Sequence, residues 1–247
     1  MKKLIAIVAV LALIIPLSAG CAIISFKDTV SSIRGTGSLI EREYPCGEFT
    51  KLCVAIPSNI YYSAQKSDTV RIEMHENLER YIKVTNKNGE LVLEAEAGIE
   101  LGSSSDSFNV YVSAPTLESI DLRGAVSLKD FDKIDADALK LAIAGAVDGK
   151  LRFDVRELSV SASGASDITL EGAAESAVIH TAGVATVNGF GLNAKTATAS
   201  VAGVGGIDIT CIDTLNAEIA GAGAIRYKGD PQLNKTIAGV GMVKKMD

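Results

Sequence analysis

Glycine returns at a nearly constant interval through the second half of this chain. Gly124, Gly145, Gly164, Gly183, Gly203, Gly221 and Gly239 are spaced by 21, 19, 19, 20, 18 and 18 residues, and Ala or Val follows each of them. A period so short and steady is the signature of a repeat architecture. Six, four and two residues before the glycines lie Leu139/Leu141/Ile143, Leu158/Val160/Ala162, Ala177/Ile179/Thr181, Ala197/Ala199/Val201 and Leu215/Ala217/Ile219. Four and six residues after them lie Ile168/Leu170, Val187/Gly189, Ile207/Ile209 and Ile225/Tyr227. Apolar alternation on both sides implies two short strands meeting at a glycine corner in each repeat. A unit of about 19 residues that returns to the same face stacks its strands in parallel. The expected fold is therefore all-β: a parallel β-helix or solenoid of about seven short rungs, roughly 30–35 Å long at ~4.8 Å per rung.

The first half obeys a different rule. From residue 39 to 116, period-2 strands alternate with turns, as in Thr69-Val70-Arg71-Ile72-Glu73-Met74, and Asn88-Gly89 marks a hairpin. Leu78-Glu79-Arg80 has room for one helical turn. This N-terminal β-strand region is expected to pack at one end of a Gly-repeat β-helix spanning 117–247. At the other end, Lys244 and Lys245 fall where earlier rungs place apolar residues, as a charged cap over exposed strand edges would require.

Residues 1–20 read as a signal peptide: Lys2 and Lys3, an apolar stretch from Leu4 to Leu17, then Ser18-Ala19-Gly20 before Cys21. The alternative is an uncleaved membrane anchor, for which the apolar stretch is short. Leu17-Ser18-Ala19-Gly20-Cys21 resembles a bacterial lipobox, which implies acylation of Cys21 and a lipid tether without a spanning helix. Residues 21–38 are the expected tether. Ala22 after the cysteine is similar to lipoproteins sent to an outer membrane, if the cell is a diderm.

Loss of the signal leaves 22 Lys and Arg against 30 Asp and Glu, a formal charge of −8. An acidic chain without clustered cations argues against nucleic acid as a partner. In an exported protein, Cys46 and Cys53 can form a disulfide, the alternative being two buried thiols. Cys211 reads as a core residue, and His75 and His180 stand alone, so neither a metal site nor a cofactor is expected.

Asp148 and Asp167 each lie three residues after their glycine, which places them ~5 Å apart on adjacent rungs. That spacing suits a retaining carboxylate pair or oxygen ligands to a divalent cation. The plainer alternative is turn chemistry, in which Asp accepts backbone N–H bonds. Asp208 is offset from this column and reads as solvated.

Gly229-Asp230-Pro231 through Ile237-Ala238-Gly239-Val240-Gly241 resembles the closing element of the putative auto-transporter adhesin head GIN domain family. Asn77-Leu78-Glu79-Arg80-Tyr81 and Leu117-Glu118-Ser119-Ile120-Asp121-Leu122-Arg123-Gly124-Ala125 are also similar to that family. The resemblance implies an adhesin-like envelope role and brings no catalytic residues. The expected function is a lipid-anchored, non-catalytic binding module, contacting membrane through its lipid and taking an envelope protein or glycan as ligand. Its alternatives are a carbohydrate-active β-helix enzyme and a self-associating structural component.

Overall fold

The computed structural model describes residues 31–102 and 108–247. The expected signal peptide, Cys21 and the expected tether as far as residue 30 lie outside the described residues. The described chain is all-β apart from one 3-10 turn, Glu76–Tyr81, which occupies the place expected to be helical. In chain order the strands are β1 (Ser31–Ile33), β2 (Leu39–Pro45), β3 (Lys51–Val54), β4 (Ser58–Ser63), β5 (Thr69–His75), β6 (Ile82–Lys87), β7 (Glu90–Ala95), β8 (Ile99–Leu101) and β9 (Phe108–Ser113). Then follow β10 (Ser119–Leu122), β11 (Ala125–Phe131), β12 (Ile134–Ile219), β13 (Ala222–Lys228), β14 (Gln232–Ile237) and β15 (Met242–Lys245). Thirteen of them form one large, nearly closed barrel-like sheet around a single apolar core, while β1 and β8 pair separately. Regular structure is thus already present before Leu39.

β12 is a continuous extended stretch of 86 residues. The pairings at its ends are parallel and displaced by about one glycine interval: Leu122 lies beside Ile143, Ile207 beside Ile225, and Ala224 on β13 beside Met242 on β15. The glycines stack on one another. A Cβ added at Gly145, Gly164, Gly183, Gly203, Gly221 or Gly239 would lie 2.3–2.9 Å from the carbonyl oxygen of the preceding glycine in the series. Only a residue without a side chain lets the backbones approach this closely, and Gly164 and Gly183 also hold φ of +105° and +87°.

Every residue expected inside at two, four and six positions before the glycines is buried, as are Ile168, Leu170, Val187, Ile207, Ile209 and Ile225 after them. Around the glycine corner the interior is complementary in volume. Two residues after the glycine, the series shrinks from Val126 and Val147 through Ser166 and Ala185 to Gly205, Gly223 and Gly241. Val201 and Ile219 fill the vacated space, each 2.6 Å from where a Cβ at Gly223 or Gly241 would stand. Close packing of this kind leaves little tolerance for added volume.

The N-terminal strands extend the same sheet. β3 lies parallel to β10, and β4 parallel to β11, through partners 68 residues apart such as Leu52–Ile120 and Ile60–Leu128. Asn88 and Gly89, at φ +55° and +76°, turn β6 into antiparallel β7 as their sequence requires. At the far end, Lys245 takes the register position of Tyr227 and pairs with Asp230.

The proposed Cys46–Cys53 bridge is absent. Cys46, Cys53 and Cys211 are free, buried thiols. The reason is alternation along β3: Leu52 and Val54 join the core cluster together with Cys46, whereas Cys53 is buried outside that cluster, on the opposite side of its strand. Burial pushes all three thiols upward in pKa, which makes them poor nucleophiles.

Candidate functional site

The six strands β2, β5, β9, β4, β11 and β12 present outward side chains in register. One row runs Glu41, Glu73, Asn109, Asn59, Ser127 and Asp148 across successive strand pairs. Asp167 continues it: Gly145 against Gly164 and Phe153 against Gly172, each 19 residues apart, bracket Asp148 and Asp167 at the same offset. Asp148 and Asp167 thus occupy equivalent positions relative to these two backbone contacts.

Hydrogen bonds bind this row together. The Asn109 amide donates to Glu73 Oε2 at 2.9 Å and the Asn59 amide to Asn109 Oδ1 at 2.9 Å. Ser127 Oγ donates to Asp148 Oδ1 at 2.7 Å, and the Asn188 amide donates to Asp167 Oδ1 at 2.7 Å. Each carboxylate thus has one oxygen held by a neutral donor. Both oxygens accept from side chains, Ser127 on β11 and Asn188 further along β12, rather than from backbone N–H groups at a turn. A cavity of about 470 Å³ opens here, lined by Asn59, Ser127, Asp148, Ser166 and Asp167 among others. Among the described residues no group of three or more His, Cys, Asp and Glu side chains is placed to hold a metal ion.

A second row lies beside the first: Glu43, Arg71, Tyr111, Tyr61 and Asp130 are likewise in register. The rings of Tyr61 and Tyr111 stack with centroids 4.6 Å apart and planes 14° apart. The Arg71 guanidinium sits 3.7 Å from the Tyr111 ring centre and pairs with Glu41 at 2.6 Å. A cavity of about 550 Å³ borders this row, between Tyr61, Tyr111, Asp130 and Asp132. Sequence reasoning missed the row. Its only local signal is polar and aromatic residues at alternate positions of β4 and β9, and the pairing of those strands joins residues 50 positions apart.

Asp208 is not solvated as its offset implied. Its side chain is 6% exposed and both carboxylate oxygens accept from Arg226, at 2.6 Å each. His180 is exposed, and His75 Nδ1 lies 3.2 Å from the Gly37 carbonyl oxygen.

Behind Tyr61, Tyr62 points inward, 4% exposed, and its hydroxyl donates to the Ala114 carbonyl at 2.9 Å. Burial first, then Asp132 and Asp135, push its phenol up to about 12. A raised phenol pKa stabilises the fold fully below the unfolded value near 10, and this stabilisation is lost as pH rises through 12. Tyr62 should therefore contribute a fall of about 2–3 kcal/mol in unfolding free energy across that window. Urea titrations at the two ends check it: Tyr62→Phe should lack this part of the decline, and an unchanged decline would remove Tyr62 as its cause.

The family model described as putative auto-transporter adhesin, head GIN domain, matches residues 48–231. The chain belongs to this family. Its match spans every strand of the polar and aromatic face except β2. The fold is similar to the crystal structure of a putative adhesin from Bacteroides fragilis NCTC 9343, with 29% identity and a TM-score of 0.79 over 87% of this chain and 100% of that one. It is also similar to a putative lipid binding protein from Parabacteroides distasonis ATCC 8503, with 22% identity and a TM-score of 0.69 over 88% and 100% of the two chains. A putative adhesin from Parabacteroides merdae ATCC 43184 matches with 22% identity and a TM-score of 0.65 over 87% and 99%. No functionally curated protein is detectably similar. Among the described residues, no helix of this GIN-domain chain is long and apolar enough to cross a membrane.

Proposed function

We propose that this chain is a lipid-anchored, non-catalytic binding module of the bacterial cell envelope, wound as a parallel β-helix. Its contact surface is the outward face of β2, β5, β9, β4, β11 and β12. The winding is supported by the glycine column and by parallel pairings one repeat apart. The anchor is supported by the apolar leader ending at Cys21, and the envelope location by the adhesin descriptions of the family and its relatives.

The in-register row from Glu73 to Asp167 carries the binding role. Asp148 and Asp167 are exposed, and each is oriented by a neutral donor with its second oxygen left for a ligand. A stacked surface of this kind offers repeated contacts along its length, which is how solenoid proteins bind extended partners. Self-association through the last strands is opposed by Lys235 and Lys245, which occupy the register positions of Ala217 and Tyr227.

Two measurements test the proposal. Radiolabelled palmitate should label the wild-type chain in growing cells and spare Cys21→Ser. The soluble 22–247 protein should bind isolated bacterial envelopes, and Asn59→Ala/Asp148→Ala/Asp167→Ala should lose about tenfold in affinity, which corresponds to about 1.4 kcal/mol. Equal binding by the triple variant would remove this face from the contact.

A further inference from the structure

We infer that this face takes an uncharged, extended glycan, with one sugar ring stacked on Tyr61. The inference rests on the binding role proposed above.

The aromatic row leaves one place open for a flat ligand. Arg71, Tyr111 and Tyr61 follow the strand order β5, β9, β4, so Tyr111 has both faces covered, by the guanidinium and by Tyr61. Tyr61 has only one face covered. Its other face turns toward β11, where the residue in register is the exposed Asp130. An aromatic face is electron-rich and attracts the partially positive C–H groups of a pyranose, while a carboxylate beside it accepts from the sugar hydroxyls.

The polar row supplies the remaining contacts of an extended chain. Among the described residues, Asp148 Oδ2, Asp167 Oδ2 and the Tyr61 and Tyr111 hydroxyls have no hydrogen-bond partner. The Asn59 and Asn109 amides each keep a second N–H. Donors and acceptors mixed in this way match hydroxyl groups, which act as both. Neighbouring strands lie about 4.8 Å apart, close to the advance of one hexose along an extended chain. Successive sugars can then meet successive strands.

Charge sets the class. Glu43, Glu73, Asp130, Asp132, Asp148 and Asp167 border the two cavities or the rows between them, and the cation among them, Arg71, is committed to Glu41 and Tyr111. Among the described residues that line the two cavities, Glu43, Asp130, Asp132, Asp148 and Asp167 outnumber Arg71, so a uronate or sulfated chain would meet net repulsion. A cationic peptide would also be attracted by the carboxylates, and its binding is the competing outcome of the test below.

Calorimetry of the 22–247 protein with a panel of neutral oligosaccharides of two to six sugars tests the inference. Affinity should rise with chain length and change little between low and high salt. Tyr61→Leu should weaken it about tenfold or more, whereas Tyr61→Phe should stay within about threefold, with circular dichroism confirming that both variants fold. Uronate-containing analogues should bind about tenfold more weakly. Three results would overturn the assignment: no neutral glycan binds, a basic peptide binds instead with steep salt dependence, or Tyr61→Leu binds like wild type. Periodate-oxidised envelopes separate the two levels of the argument. If they bind as well as untreated envelopes, the glycan assignment fails and the binding role stands. If untreated envelopes do not bind at all, both fail.

Discussion

Gly164→Ala is expected to destabilise the fold by about 3–5 kcal/mol, read as a fall in the urea midpoint at unchanged slope. Two effects add at this position. The φ of +105° is outside the range an alanine adopts without strain, and the new Cβ would lie 2.4 Å from the Gly145 carbonyl oxygen and 3.1 Å from its nitrogen. Both obstructing atoms are backbone, so the clash is relieved only by moving one repeat away from the next. Gly89→Ala provides the contrast. Its φ of +76° is also positive, but nothing lies within 4 Å of the added Cβ. The expected cost there is about 1 kcal/mol, the conformational part alone. The difference between the two variants therefore isolates the close approach of stacked repeats. Comparable losses would mean that the glycine column contributes no more than its backbone angle.

Arg226→Met should cost about 2–3 kcal/mol, and more than Asp208→Asn. The two ends of this ion pair differ in solvation: the Asp208 side chain is 6% exposed and that of Arg226 45%. Removing the arginine leaves a buried carboxylate without its two charge-assisted bonds, whereas removing the carboxylate lets the half-exposed guanidinium return to water. Screening of the exposed partner keeps the loss below that of a fully buried pair. The double variant Asp208→Asn/Arg226→Met should recover part of the loss, since neither charge is then stranded. Thermal or urea denaturation of the three variants decides this, and an equal cost for both single substitutions would contradict the asymmetry.

Local pattern made part of this architecture legible in the sequence. The glycine interval located the column of close backbone contacts, and the apolar alternation around it identified the buried positions from Leu139 to Ile225. Asn88-Gly89 announced its hairpin, because only residues tolerant of positive φ close a two-residue loop of this kind. Long-range register determined what was not legible. Asn59 meets Ser127 because β4 lies beside β11 across 68 residues, and Tyr61 meets Tyr111 because β4 also lies beside β9. No spacing rule connects those segments. Asp148 and Asp167 share one glycine interval in the sequence, but the donor to Asp148 is Ser127 on β11 and the donor to Asp167 is Asn188, 21 residues further along β12. The Cys46–Cys53 expectation rested on compartment and proximity in sequence and overlooked strand alternation, which turns Cys53 away from the core. The burial of Asp208 is likewise hidden from its local pattern, because its partner Arg226 lies 18 residues later on β13.

The most direct test of the proposed winding is a short thiol-specific crosslink between exposed residues one repeat apart. Val184 and Val204 are 64% and 58% exposed, and the contacts of Gly203 with Gly183 and of Gly205 with Ala185 place them side by side. Val184→Cys/Val204→Cys should crosslink rapidly within the monomer, while Val184→Cys/Ile212→Cys, also at exposed positions, should not. Failure of the first pair to crosslink, or equal crosslinking of both, would contradict the stacking of successive repeats.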